Sequence, residues 1–431
     1  MAGFYHLLRN NRNYRYTWLG QIVSEIGDHF NNIAVFSLIL DRTHSGLMVS
    51  GVMMARAVPA VLAGPIAGVL LDRLDRKKVM IASDMLRCVV ALGFILTVGQ
   101  ENTWLLYVLS GLLMFASPFF TSGRAAILPT ITNRDELHAA NSLTQTTQWV
   151  TLTIGTFAAG ASVTHLGYKA AFLLNATSFL VSALSISRLR IAGGSFRPER
   201  KSLTEADVAR PWHEYVEGIR YMRSTPLIFG IALVGIGWAS GGGAAQILFS
   251  LFGELVFKRG ASGIGIIWGC AGLGLIAGGM LGHWLGRTLD YRRYKHTITI
   301  TYVLHGVAYV IFSQMEQFGW ALFFIALSRA AVAVSSVLNF AQLLRHVSDE
   351  YRGRVFATLE SMVWSTMMIS MMVAGIASQY YSPRVIGAWS GVLSSTTAIF
   401  WAWANYTGRL PDTNRDGVDP DEVEVHGEAT L

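Results

Sequence analysis

Long apolar runs separated by short polar segments recur from residue 17 to residue 406. A transmembrane helix needs roughly 20 mainly apolar residues, and about twelve runs approach or exceed that length. Because a backbone in lipid must satisfy its own hydrogen bonds, each run is predicted to be a helix. The runs lie near 17–40, 48–71, 79–100, 104–123, 142–164, 168–188, 227–252, 263–286, 297–314, 319–340, 357–380 and 385–406. The pattern predicts an all-α polytopic membrane protein with 12 transmembrane helices.

Composition supports the same class. Hydrophobic residues make up 52% of the 431 positions and charged residues 14%, and the mean hydropathy is +0.41. A soluble domain carries about 25% charged residues. A soluble globular protein is therefore excluded.

The net charge of +7 is explained by orientation in a membrane. Lys and Arg concentrate before the first run and after the second, sixth, eighth and tenth runs. In a twelve-helix topology all these segments face one side, and cytoplasmic segments carry such an excess. We therefore expect a multi-pass protein of a bacterial cytoplasmic (inner) membrane with both termini in the cytoplasm. Its basicity does not indicate a nucleic-acid partner.

No motif indicates an enzyme, a cofactor or a metal centre. The chain has no Walker loop, so we do not expect ATP to drive it. Its histidines lack metal-ligand spacing, and Cys88 and Cys270 fall in separate predicted helices. Residues 1–16 lack the short apolar core and cleavage site of a signal peptide.

The two halves of the chain repeat each other. "GVLLDRLDRKKVM" begins at Gly68 and "GHWLGRTLDYRRYK" at Gly282, 214 positions later. "FSL" occurs at Phe36 and again at Phe249, an offset of 213. The repeat predicts two pseudo-symmetric six-helix bundles, an architecture that places a transported substrate near the midplane between the halves. The predicted organisation is a cytoplasmic N-terminal segment (1–16), an N-terminal bundle (17–188), a cytoplasmic central loop (189–226), a C-terminal bundle (227–407) and an acidic, disordered cytoplasmic tail (408–431).

"GPIAGVLLDRLDRKKVM" resembles the loop between helices 2 and 3 in the major facilitator superfamily. "ANSL" at 140–143, "NATSFLVSAL" at 175–184 and "YRGRVFA" at 351–357 resemble the twelve-helix macrolide-efflux and enterobactin-exporter branch. The resemblance covers about residues 12–407 and implies the major facilitator fold and secondary transport. One departure is Thr156, which stands where antiporters of the family often have proline in helix 5.

The same resemblance implies a gating latch of ion pairs at the cytoplasmic ends of the two halves. Its motif residues are Gly68, Asp72, Arg73, Arg76 and Lys77. We expect Asp84 and Arg87 at the start of helix 3 to join the latch, and Arg352 and Glu360 to complete it from the second half.

Helix 1 carries a polar face inside an apolar run. Gln21, Glu25, Asp28 and Asn32 are spaced i, i+4, i+7 and i+11, which places them on one helical face. An intramembrane carboxylate costs at least about 2.5–3.5 kcal/mol on insertion scales, and such residues commonly mark ion or substrate pathways. We interpret Asp28, with Glu25 beside it, as a protonation or substrate-cation site. The alternative is a structural carboxylate that an arginine of the same half neutralises.

Arg56 in helix 2 is the expected counter-charge to Asp28 or Glu25. It could equally hold an anionic substrate, because a guanidinium binds carboxylate or phosphate with two parallel hydrogen bonds. The alternative is that it snorkels to the membrane interface.

Polar, tryptophan and methionine side chains on other helices are further candidates for a substrate cavity. Methionine suits binding surfaces that accept several shapes. Besides Gln21 and Asn32, the candidates are Gln145, Gln148, Gln246, Arg329, Asn339, Trp364, Met367 and Met371.

The sequence thus predicts a transporter that works by alternating access and exports amphipathic small molecules, drug-like or siderophore-like, by proton antiport. The proton gradient is the expected energy source. A lysophospholipid or lipid flippase, or an importer, is a second hypothesis, and Arg56, Arg124 and Arg329 could then hold a phosphate. A non-transporting receptor is a third. The expected partners are a small-molecule or lipid-like substrate and membrane lipids, and we expect a monomer.

Overall fold

The computed structural model describes residues 2–99, 103–191, 196–197 and 211–410. Every regular element in these residues is a helix, and a π-helical turn at Phe252–Val256 extends α8. Part of the predicted central loop and nearly all of the predicted acidic tail lie outside the described residues. The helices are α1 (Ala2–Asn10), α2 (Arg12–Thr43), α3 (Gly46–Arg73), α4 (Arg76–Thr97), α5 (Trp104–Ile131), α6 (Arg134–Ser187), α7 (Pro211–Ser224), α8 (Pro226–Leu251), α9 (Gly260–Thr288), α10 (Tyr291–Gln314), α11 (Phe318–His346), α12 (Asp349–Ala377) and α13 (Pro383–Tyr406).

Ten of the described helices are long and apolar enough to cross a membrane. One of them, α6, consists of two helical arms that meet at Gly167, where φ is 81° and ψ is 172° and the backbone is not helical. Its two arms correspond to the separate runs predicted near 142–164 and 168–188. α2 is not one of these ten helices because its polar face lowers its hydropathy, although its 32 residues exceed the length of a span. With α2 and both arms of α6, the described residues make twelve membrane passes.

Two helices, α1 and α7, lie in segments for which no helix was predicted, namely the N-terminal segment and the central loop. α1 occupies most of the N-terminal segment, and Leu7, 1% exposed, packs into a cluster with Tyr14 and Met80. α7 lies in the central loop and packs on α12, where Glu217 forms a 2.9 Å ion pair with Arg354. Both helices therefore anchor the polar segments to the bundles.

The helix bounds repeat with the offset that the sequence motifs show. α3 begins at Gly46 and α9 at Gly260, 214 positions later. α4 and α10 begin 215 positions apart, and α5 and α11 begin 214 apart. Within each half the corresponding helices pack together, so the described residues form two similar six-helix bundles.

The bundles contact each other mainly at one end, through α6 with α9 and α3 with α12. A methyl group added at Gly265 would lie 2.5 Å from the backbone oxygen of Thr156, and one at Gly375 would lie 2.0 Å from the hydroxyl of Ser50. Small residues of this kind let helices in a membrane approach closely. At the other end of α3, a methyl group at Gly68 would meet nothing within 4 Å. Among the described residues, the tight glycine contacts between the bundles thus lie at the end that carries Ser50, which we call the closed end, and we call the end that carries Gly68 the open end.

Candidate functional site

A cavity of about 350 Å³ lies between the two bundles. Five residues predicted for a substrate cavity lie in its wall: Asn32, Arg56, Gln246, Trp364 and Met371. They come from α2, α3, α8 and α12, so both halves contribute. The other lining residues are His29, Ile33, Phe36, Met53, Ala57, Ala60, Met114, Leu152, Thr156 and Trp268.

Glu25 lies in a network inside the first half and is absent from the cavity wall. Its Oε1 is 3.2 Å from Nη1 of Arg124 and accepts a 2.9 Å hydrogen bond from Gln21. Its Oε2 accepts a 2.7 Å hydrogen bond from the hydroxyl of Thr151. The expected partner, Arg56, makes no ion pair with Glu25. Charged hydrogen bonds of this kind are strong, so the network offsets the cost of burying the carboxylate.

Asp28 belongs to a second cluster, with Arg87 and Asp84. Oδ2 of Asp28 is 4.0 Å from Nη1 of Arg87, and Arg87 also contacts Asp84. Two aromatic rings lie against the guanidinium, with the ring centres of Phe120 at 4.6 Å and Phe179 at 4.4 Å from its central carbon. Oδ1 of Asp28 is buried and has no hydrogen-bond partner in the described part of the chain.

This cluster corrects the prediction for Asp84 and Arg87. Both are buried inside the first bundle, on the third and fourth turns of α4, whereas a cytoplasmic latch would place them at the helix end. α4 begins at Arg76, so position 84 is already about 12 Å along the axis at 1.5 Å per residue.

Arg56 points into the cavity. It donates a hydrogen bond to Oδ1 of Asn32, and its central carbon lies 5.8 Å from the ring centre of Phe36. It forms no ion pair with Glu25 or Asp28 among the described residues, but the charges of Arg56 and Asp28 still attract each other across a longer distance. Its Nη1 is buried without a hydrogen-bond partner.

Three predicted cavity residues of the second half lie inside its bundle instead. Arg329 stacks at 4.9 Å from the ring centre of Phe249. Oδ1 of Asn339 accepts a 2.9 Å hydrogen bond from the hydroxyl of Tyr294. Met367 is buried where α12 packs on α8. These contacts give all three a packing role.

Gln145 and Gln148 are exposed on the first arm of α6. Gln148 lies four and eight residues before the lining residues Leu152 and Thr156, and so shares their helical face. Both glutamines therefore extend from the cavity towards the open end. Gln21 is buried against Glu25 and does not line the cavity.

The segment predicted to be a latch makes its described contacts within the first half. Asp72 is exposed, Arg76 donates 2.7 Å to the backbone oxygen of Ala126, and Lys77 donates 2.9 Å to that of Leu189. Nε of Arg197 donates to the backbone oxygen of Arg73. On the second half, Arg352 donates to the backbone oxygens of Leu344 and Val347, and Glu360 is exposed. Among the described residues no ion pair joins the halves at this end, in keeping with the open cleft.

Sequence reasoning missed several residues of the site. His29 and Met53 line the cavity, and Arg124 and Thr151 hold Glu25. The available signal for His29 was its position three residues before Asn32, on the same helical face. For Arg124 and Thr151 the sequence offered no signal, since their distance from Glu25 is about 100 residues or more along the chain.

The model of the Major Facilitator Superfamily matches residues 17–365. The chain is 24% identical to macrolide efflux protein A of Streptococcus pyogenes, over 91% of the chain and 96% of that protein. It is 27% identical to the multidrug efflux pump Tap of Mycolicibacterium fortuitum, over 81% and 85%.

The fold is similar to that of a bacterial homologue of the iron transporter ferroportin in an inward-facing state. The TM-score is 0.64 at 16% identity, with 91% of the chain and 98% of that structure covered. Such low identity supports the fold alone.

Proposed function

The chain belongs to the major facilitator superfamily, and from that premise we propose that it is a secondary transporter that exports amphipathic small molecules in exchange for protons. The observation that carries this proposal is the cavity between the halves, which mixes polar groups with tryptophan and methionine. The names of the relatives, a macrolide efflux protein and a multidrug efflux pump, support export as the direction.

Alternating access requires two conformations that expose one cavity to opposite sides. The bundles make close contacts at Gly265 and Gly375 at one end, while a methyl group at Gly68, at the other end of α3, would meet nothing within 4 Å among the described residues. A ligand shifts such an equilibrium by its different affinities for the two states. Closing the open end would bring the basic segment after α3 towards the second half, which is where the latch predicted from Asp72 would form.

Asp28 is the proposed proton carrier. It shares Arg87 with Asp84, and one of its oxygens lacks a partner, so a proton on that oxygen breaks no hydrogen bond. A carboxyl group in a low-dielectric surrounding is stable when neutral and costly when ionised. Rocking of the bundles that changes its exposure would therefore couple proton uptake and release to access.

The proposed setting is a bacterial cytoplasmic membrane with both termini in the cytoplasm, following the distribution of Lys and Arg. The proton gradient would supply the energy, and the functional unit would be a monomer in contact with membrane lipids.

The test uses an efflux-deficient bacterial host that expresses the wild type, Asp28→Asn or Glu316→Gln at matched membrane levels. Glu316 is an exposed loop residue between α10 and α11 and serves as the control for losing one carboxylate. Survival is scored against a panel of antibiotics, dyes and siderophore-like chelators. We expect protection by the wild type and Glu316→Gln, and minimum inhibitory concentrations at the vector-only level for Asp28→Asn.

Equal protection by Asp28→Asn would keep export but remove Asp28 from the mechanism. No protection by the wild type against any compound would contradict export of drug-like molecules. The lipid hypothesis would then be tested by lysophospholipid flipping in proteoliposomes.

A further inference from the structure

The cavity wall is unusual in its charge. Among the described residues that line it, Arg56 carries the one permanent charge, and no carboxylate is present. Glu25 and Asp28 of α2 are directed to Arg124 and Arg87 instead. A cationic substrate would therefore meet a wall of like charge.

Arg56 differs from the two other buried arginines of its half. Arg124 is paired with Glu25, and Arg87 with Asp28 and Asp84. Arg56 is 9% exposed, donates a hydrogen bond to the neutral amide of Asn32, and leaves Nη1 buried without a partner among the described residues. Asp28 attracts it from a longer distance but forms no ion pair with it. A buried charge normally requires a counter-charge and hydrogen bonds.

A second donor in the same wall is also unsatisfied. Nε1 of Trp268, on α9 of the other half, is buried and has no hydrogen-bond partner among the described residues. An indole N–H can only donate. Nη1 of Arg56 and Nε1 of Trp268 are therefore both available to donate to a ligand that accepts hydrogen bonds, and they come from opposite halves of the protein.

The rest of the wall is apolar or neutral. Phe36, Met53, Met114, Leu152 and Met371 offer surface for a hydrophobic body, and Gln246 adds a neutral amide. A single guanidinium neutralises one negative charge, which suits a carboxylate better than a phosphate monoester with a charge near −2.

We propose that the substrates are amphipathic organic acids, and that Arg56 is the subsite that binds their carboxylate. This inference rests on the proposed export function and names the substrate class of the same cavity. The proposed substrate class distinguishes this chain from pumps that select cations, because the positive charge of Arg56 would favour anionic substrates.

The test measures equilibrium binding to purified protein in detergent, without a proton gradient. Three fluorescent probes share one dansyl group: N-dansyl-leucine is an anion, its methyl ester is neutral, and dansylcadaverine is a cation. We expect the wild type to bind the acid about tenfold more tightly than the ester, as a charge-assisted pair implies, and the cation most weakly. The wild-type series tests the proposal even if a variant fails to fold.

Arg56→Gln and Arg56→Lys provide the matched variants, checked for monodispersity by size-exclusion chromatography. Arg56→Gln should lower affinity for the acid about tenfold and leave affinity for the ester unchanged. Arg56→Lys should retain part of the preference, because an ammonium keeps the charge but loses the planar fork.

Absence of binding by the acid, equal affinity for acid and ester, or an unchanged preference in Arg56→Gln would each overturn the proposal. Tighter binding of lysophosphatidylglycerol than of N-dansyl-leucine would overturn it in favour of a lipid anion. These outcomes are independent of export. Protection of cells that depends on Asp28, without any binding of the acid, would contradict the proposed substrate class but not the proposed export. Selective binding of the acid through Arg56, without protection against any compound, would contradict the export of drug-like molecules but not the proposed substrate class.

Discussion

At the scale of single residues, Glu25 and Asp28 of α2 have different surroundings although they lie three positions apart. Glu25 meets donors from Gln21, Arg124 and Thr151, so its charge is fully compensated. Asp28 shares one arginine with Asp84 and keeps an unpaired oxygen. The first arrangement suits a structural ion pair, and the second suits a group that gains and loses a proton.

We expect the pair of Glu25 and Arg124 to stabilise the fold through mutual compensation. Arg124→Gln leaves the Glu25 carboxylate without its cation, and breaking a buried pair costs about 3–5 kcal/mol. The double variant Glu25→Gln/Arg124→Gln removes both charges and should recover part of that loss. Thermal unfolding in detergent, followed by the fraction of monodisperse protein, checks the order of stability.

The reference for this cycle is Glu25→Gln alone. A double variant whose loss of stability equals the two single losses added together would show that Glu25 and Arg124 do not interact. It would also reopen Glu25 as a mobile, functional carboxylate.

At the scale of helices, glycine positions determine how closely the halves approach at the closed end. On α9, a methyl group at Gly265 would lie 2.8 Å from the Cα of Gly160 on α6, and one at Gly272 would lie 2.4 Å from the hydroxyl oxygen of Thr153. Backbone cannot move aside as a flexible side chain can, so Gly265 is the more sensitive of the two. The same helix offers an inert comparison at Gly279, where a methyl group meets nothing within 4 Å.

We expect Gly265→Ala to loosen the closed end, since overpacking costs about 1–3 kcal/mol. The reporter is Ser37→Cys on α2, a buried position whose hydroxyl donates 3.2 Å to Glu254 of the other half. With Cys88 and Cys270 replaced by alanine, labelling of Cys at this position by a membrane-impermeant maleimide should become several-fold faster in Gly265→Ala.

Gly279→Ala is the matched control, and its labelling rate should equal that of the parent. Unchanged labelling in Gly265→Ala would mean that the closed state does not depend on the contact between α6 and α9.

At the scale of the whole molecule, the halves share a fold but divide the chemistry unequally. The first half contributes Glu25, Asp28 and three of the four buried arginines of the described residues, and Arg329 is the fourth. The positions 213 residues after Glu25 and Asp28 are Trp238 and Gly241. Gly241 packs against α13, where an added methyl group would lie 2.0 Å from the backbone oxygen of Ser390. The second bundle therefore uses these positions for packing, and proton coupling is expected in the first.

Orientation in the membrane is also a property of the whole chain, and the distribution of Lys and Arg predicts it. We expect a green fluorescent protein fused after Arg409 to fluoresce and an alkaline phosphatase fused there to be inactive. Fusions in the short link after Thr43 should give the reverse. Phosphatase activity at both sites, or at Arg409 alone, would contradict cytoplasmic termini.

Much of the fold followed from the sequence because membrane helices are specified locally. A long apolar run must form a helix in lipid, and its bounds need no knowledge of its neighbours. The repeat offset near 214 predicted the pairing of helices between halves, and the helix starts at Gly46 and Gly260 agree with it. The exceptions are α1 and α7, because polar or short segments carry no strong period.

The candidate site depended on information that is not local. The 3.6-residue period placed Gln21, Glu25, Asp28 and Asn32 on one face of α2. It could not show that Arg124 pairs with Glu25, that Arg87 pairs with Asp28 or that Arg56 lines the cavity. A helical period fixes which residues share a face, whereas the rotation and position of each packed neighbour determine which side chains that face meets. The sequence alone therefore determined the membrane class, the repeat and the polar face of α2. Only the packing of the twelve passes decided which charges of α2 form ion pairs and that Arg56 faces the cavity without one.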